Sequence, residues 1–179
     1  MSDAIKTNNR CEGDVWKGLM AGLIGGLVAS WTMNRFQDVW SKLSVNDHST
    51  DAKSANGDDN WQDDTTVKAG SAISEGMFGH RLSSTEKKIA GPAVHYALGT
   101  GIGGLYGAVG EIVPEVRKGA GIPFGAAFWL VVDETTVPLL GLSKGPTEYP
   151  VSTHAYALTS HLVYGLTAEL VRRALRRAL

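Results

Sequence analysis

Five side chains that can carry or share a proton stand in stretches that otherwise have no charge: His95, Asp133, Glu134, His154 and His161. The chemistry they suit is proton transfer. Histidine titrates near neutral pH, and a desolvated acid can be raised towards it. His154 and His161 are seven positions apart, two helical turns, so they share a face. Pro138 follows Asp133 by five positions. Proline removes a backbone hydrogen bond and kinks a helix, freeing a carbonyl near Glu134. A kinked helix with acids beside the kink, facing the histidines of the next helix, would form a polar cluster. Two other uses of the same residues stay open. His95, His161 and Asp133 could hold a divalent cation, or His and Asp could pair only to hold helices together. No HExxH, GxSxG, P-loop or CxxC run occurs. No catalytic residue, cofactor or complete metal-ligand set is therefore expected, and the chain reads as non-enzymatic.

The elements that must position these residues are charge-free runs at 18–34, 89–110, 119–132 and 150–168. About 20 helical residues cross a bilayer's hydrocarbon core. The second run has that length outright, the first and fourth come near it, and the third needs its acidic pair inside the membrane. A buried helix of a soluble bundle normally keeps a charged outer face, which these runs lack. Glycine, 22 residues in all, is concentrated in them. Gly18, Gly22 and Gly26, and again Gly99, Gly103 and Gly107, place a small residue at every fourth position. Such stripes allow close helix contact in membranes. The expectation is an all-α integral membrane protein with about four transmembrane helices, a polar loop and a short surface helix between the first two. As one membrane domain it divides into a tail (1–16), span one (17–34), the loop with its surface helix (43–83), span two (84–112), span three (119–142), span four (151–171) and a basic tail (172–179). A cleaved leader ending near Val28-Ala29-Ser30 is the weaker reading of the first run. Before that run Lys6, Arg10 and Lys17 are offset by Asp3, Glu12 and Asp14.

Four spans put both termini on one side. Arg172, Arg173, Arg176 and Arg177 favour the cytoplasm, with Arg117 and Lys118 in agreement. Arg35, Lys42, Arg81, Lys87 and Lys88 then flank the other face. The arginine tail should lie at the headgroups, where each cation gains roughly 1 kcal/mol from anionic lipid. The stretch 46–66 carries six aspartates and one lysine, too polar to bury a core. Its EF-hand spacing fails, with no glycine at the sixth place and no glutamate at the twelfth. The segment 65–78, closed by Gly79, suits a short surface helix. Ser83 and Glu86 match a capping box that opens the second long helix near Ser84, ahead of its apolar zone.

Net charge is −1 and evenly balanced overall, which excludes a general nucleic-acid binder. The one cysteine, Cys11, excludes an internal disulfide.

The block 90–173 resembles the YagU-like family of bacterial inner-membrane proteins. The resemblance is carried by AGPAVHYALGTGIGGLYG, GEIVPEV, VPLLGLS and SHLVYGLTAELVRR. It implies a multispan inner-membrane protein of largely undefined biochemistry, associated with acid tolerance, and brings no catalytic set. His95, Glu111, Pro114, Pro138, Gly141, His161 and Glu169 fall where the family pattern has similar residues. Asp133 stands where that pattern has a histidine. The expected function is thus a pH-responsive or proton-linked role in the bacterial inner (plasma) membrane. The alternatives are a structural or assembly subunit without transport, and a membrane metal enzyme lacking its full ligand set. The expected partners are the lipid bilayer and, through the glycine stripes, a second copy or neighbouring membrane helices.

Overall fold

The computed structural model describes residues 2–44 and 65–178, and every regular element among them is a helix. The all-α expectation holds. The acidic stretch 46–64, with its discarded calcium reading, lies outside the described residues.

Helix α1, Ser2–Ser44, runs past the charge-free run at both ends. Gly18, Gly22, Gly25, Gly26, Ala29 and Ser30 are buried, which marks its inner face. Helix α2, Thr65–Phe78, is short and ends at Gly79, whose φ of 62° is the left-handed turn that stops a helix. It is anchored by Val67 and Gly70 against Ala90 and Gly91. Helix α3, Ser84–Ile112, opens with the capping box foreseen in the sequence: Ser83 N–H donates to the Glu86 carboxylate at 2.7 Å, and Glu86 N–H donates to Ser83 Oγ at 3.4 Å.

The two glycine stripes meet each other. A Cβ on Gly103 would stand 2.5 Å from the Cα of Gly26, and one on Gly107 would stand 2.8 Å from the Cα of Gly22. Because Gly18 faces Gly107 while Gly26 faces Gly99, α1 and α3 are antiparallel. Backbone touches backbone, and only hydrogen fits between them.

Helix α4, Ile122–Val131, passes into a π turn at Val132–Thr136 and a final helical turn, α5, at Val137–Leu139. Helix α6, Val151–Ala178, runs back along α4 and α1. Gly165 meets Gly121 and Gly125, and Gly25 meets the Ala168 carbonyl. At one end Trp40 of α1 packs on Tyr156 with ring centres 5.8 Å apart, and at the other Arg176 reaches Asp14. The first and last helices are therefore also antiparallel.

The centre is small and aromatic. Ala29, Met33, Tyr164 and Ala168 are buried, with Phe124 and Phe128 packed on them. The large aliphatic side chains point outward: Ile24, Leu27, Leu98, Leu105, Leu130 and Leu170 are all exposed. No helix among the described residues is long and apolar enough to cross a membrane. The glycines, histidines and tyrosines of the charge-free runs explain why absence of charge does not become high hydropathy.

Candidate functional site

The π turn is built by local chemistry. Pro138 has no N–H to offer the carbonyl one turn before it, and the N–H of Val137 reaches back to Val132 instead of one residue nearer. The hydroxyls of Thr135 and Thr136 donate to the carbonyls of Leu130 and Val131, at 2.9 and 2.7 Å. One extra residue in the turn widens it and swings the following side chains round the axis. Asp133 and Glu134 sit on this turn and face α6.

Each acid meets one histidine. His154 Nδ1 lies 2.6 Å from Glu134 Oε1, and its Nε2 lies 2.9 Å from the Pro146 carbonyl. His161 Nδ1 donates to the Ala157 carbonyl at 2.9 Å and stands 3.7 Å from Asp133 Oδ2. The Phe128 ring meets His161 edge-on, 5.1 Å between centres. His95 lies on α3, edge-on to Tyr96, whose hydroxyl accepts from Asn34 of α1 at 3.2 Å. The ion pairs of Asp133 and Glu134 thus go to His161 and His154, while the ring contact of His95 is with its own helix. Among the described residues no cluster of three or more His, Cys, Asp or Glu is arranged to hold a metal ion. The cation reading of His95, His161 and Asp133 has no geometric support there.

A second charged group lies at the opposite end. Glu169 is fully buried and takes a two-point contact from Arg172, Nε to Oε2 at 2.7 Å and Nη2 to Oε1 at 3.0 Å. Arg173 Nε donates to the same Oε1 at 2.6 Å. Glu111 of α3 accepts from Arg172 at 3.1 Å and from Arg176 at 2.9 Å, and Arg176 also reaches Asp14 of α1 at 3.3 Å. Three carboxylates and three arginines close the ends of α1, α3 and α6 on one another. Burial alone would lower the Arg172 guanidinium. The hydrogen bonds and charge of Glu169, with Glu111 behind it, outweigh that and hold it above the usual range. Glu111 does the same for Arg176.

This group corrects the reading of the basic tail. Arg172 and Arg176 turn into the bundle and pair with carboxylates, while Arg177 stays exposed. The signal was present in the sequence. Glu169 precedes Arg172 and Arg173 by three and four positions, the spacing at which helix neighbours pair.

A family model described as "Protein of unknown function (DUF1440)" matches residues 67–170, more than half of the chain. The chain belongs to this family. The match opens on α2 and closes on α6, so it takes in both acid–histidine pairs, Glu111 and Glu169. Helix α1, which packs its glycines on α3, lies outside it, as do Arg172 and Arg176. The YagU-like resemblance is thereby borne out as membership of an uncharacterised family. No curated protein and no solved structure matches the chain.

Proposed function

We propose that this DUF1440 protein is a helical protein of the bacterial inner membrane whose acid–histidine pairs bind and release protons. One observation carries the membrane part: the polarity of the bundle is reversed. Glu169, Arg172, His161, Ser30 and Ser160 are buried among glycines, while Ile24, Leu27, Leu98, Leu105, Leu130 and Leu166 face outward from all four long segments. In water each such leucine or isoleucine would forgo about 1.5–3 kcal/mol of burial. In lipid the outward aliphatic chains are at home, and small residues and polar groups are what holds helices together. The hydropathy of each helix is low because its inner face is glycine and polar, and only the outer face has to suit lipid. The proton part is supported by the two pairs, which set titratable groups next to their partners, His161 buried and the other three half-buried. It agrees with the acid tolerance that the family resemblance implies.

Two experiments test the reading. Membranes from cells expressing the protein are washed with alkaline carbonate, and the protein should stay in the pellet. Release into the wash removes the membrane reading. Proton flux is then measured in proteoliposomes at pH 5 and pH 7 for wild type, Asp133→Asn and His161→Gln. Flux that rises at low pH and disappears in either variant supports a relay. Flux equal to that of empty liposomes leaves the second reading, a structural subunit. That reading draws on the outward stripe Met20, Ile24, Leu27 and Trp31 of α1, which has the spacing of a helix-binding face.

A further inference from the structure

Between α5 and α6 the chain forms a strap, residues 141–150. It leaves α5 at Gly141, with φ of 69°, and is closed on itself. The N–H of Gly145 donates to the Glu148 carboxylate at 3.0 Å, the N–H of Glu148 returns to the Gly145 carbonyl at 3.0 Å, and the N–H of Lys144 donates to the Tyr149 hydroxyl at 3.3 Å. His154 joins this strap to the helices. One ring nitrogen takes the Pro146 carbonyl of the strap, the other takes Glu134 of the π turn, and the Tyr149 ring stands edge-on to the imidazole.

These two bonds need two protons on or beside one ring. A carbonyl can only accept, so Nε2 must carry hydrogen to hold Pro146. The 2.6 Å contact between Nδ1 and Oε1 must also contain a proton, whether it rests on the imidazole or on the carboxyl group. When one proton leaves, a neutral imidazole with a single N–H faces two acceptors. The carboxylate is the stronger of the two, because a hydrogen bond to an ion is about twice as strong as a neutral one. The hydrogen then settles on Nδ1, and a bare Nε2 is left against the Pro146 carbonyl, lone pair to lone pair.

We infer that His154 is a proton-operated latch: it ties the 141–150 strap to the π turn while the Glu134 bridge holds its proton, and releases the strap when that proton is lost. The strap is closed at low pH and free at high pH. The inference deepens the proton-linked reading of the same pair and rests on it for the exchange of the bridging proton. Among the described residues, the other charged groups around the latch are few. Asp133 neighbours Glu134 on the π turn, and His161 lies two turns further along α6. Lys144 and Glu148 belong to the strap itself. From α1, Asp38 lies near Tyr156, two residues beyond His154. Release takes the Tyr149 ring away from the imidazole and opens the half-buried pair to water from this end of the bundle.

The latch gives Glu134 a role opposite to that of a structural tie. Without the carboxylate, a neutral imidazole has no competitor for its hydrogen and keeps it on Nε2, holding Pro146 at every pH. The full chain in detergent micelles is followed by hydrogen exchange and mass spectrometry at pH 6 and pH 9. Rates are divided by those of an unstructured peptide of the strap sequence. In wild type the strap amides should exchange at least tenfold faster at pH 9 than at pH 6 on this scale. Glu134→Gln and Glu134→Ala should both stay protected at pH 9, while amides around Tyr164 report that α6 remains folded. Equal wild-type protection at the two pH values overturns the latch. So does a strap that is loosened at both pH values in the two variants, which is what a merely structural Glu134 gives. Proton flux of the same proteins reconstituted into proteoliposomes separates the two readings. Strap release without flux supports the latch and removes the transport role, whereas flux with an unchanging strap overturns the latch alone.

Discussion

Glu169 and Arg172, three residues apart on α6, form a two-point ion pair in a site where the carboxylate has no exposure and the guanidinium has 3%. Two charges taken so far from solvent are costly to separate, because removing one leaves the other unpaired. Here the loss would spread. Arg173 and, through Arg172, Glu111 share the same network.

Glu169→Ala should therefore destabilise the bundle by about 3–5 kcal/mol. Arg173→Ala should cost less than about 1 kcal/mol, since that side chain is 42% exposed and water screens its pairing. Denaturant unfolding of the two variants in the same detergent checks both. Equal losses would mean that the exposed Arg173 contact, and not the buried Arg172 pair, accounts for the cost of losing Glu169.

Gly103→Ala should destabilise by about 1–3 kcal/mol, because its methyl group meets backbone atoms of Gly22 and Gly26 that cannot swing aside. Gly101→Ala, two residues away on the same helix, has open space around its Cβ. It should be neutral or stabilising by up to about 1 kcal/mol through better helix propensity. Thermal unfolding of the pair decides it. A loss in Gly101→Ala as large as in Gly103→Ala would overturn the assignment of the Gly103 cost to the α1–α3 contact.

Tyr164 is buried, and its hydroxyl donates to the Gly99 carbonyl across the bundle at 2.5 Å. Tyr164→Phe keeps the ring among Phe124 and Phe128 and loses only this bond. The expected cost is about 1 kcal/mol, read as a lower unfolding midpoint with an unchanged denaturant slope. A changed slope would instead mean that the ring packing had altered.

Glu86 stands outside the charge-free run, in the first turn of α3. The Ser83 hydroxyl, then the Ser83 N–H, then His80 hold its carboxyl at about 2, against an ordinary 4.5. A carboxyl lowered by folding stabilises the folded form fully above its unfolded value and loses that contribution as pH falls through the folded one. Amides of the first turn of α3 should lose protection between pH 4.5 and pH 2, and Glu86→Gln should remove this dependence. Hydrogen exchange corrected for intrinsic rate reads it. A wild-type profile flat to pH 2 would mean that the cap does not need the charge.

Elements written in local signals could be read directly from the chain. Ser83 and Glu86 announce the start of α3, Gly79 ends α2 because only a residue without Cβ takes that turn easily, and helices fill the charge-free runs. The glycine stripes show as a period of four, but their partners do not. Gly103 against Gly26 is a relationship across 77 positions, and many other pairings of small residues would have suited the same spacing.

The burial of Glu169 and Arg172 was the least readable feature. Composition treats glutamate and arginine near a chain end as surface residues, and their i to i+3 spacing pairs them equally well in water. The interior of the bundle is a tolerable place for them because Glu111 comes from α3 to Arg172 and Arg173 closes on Glu169.

The sequence by itself determined an all-helical chain, the family to which it belongs, the ends of α2 and α3, and the two histidines on one face of α6. Tertiary structure decided which acid each histidine meets, because the extra residue of the π turn sets the direction of Asp133 and Glu134. It also decided that aliphatic side chains such as Ile24 and Leu105 face out while Glu169 and Arg172 face in. Local sequence fixes the helical period of each face, whereas which face is buried depends on the neighbours that close on it.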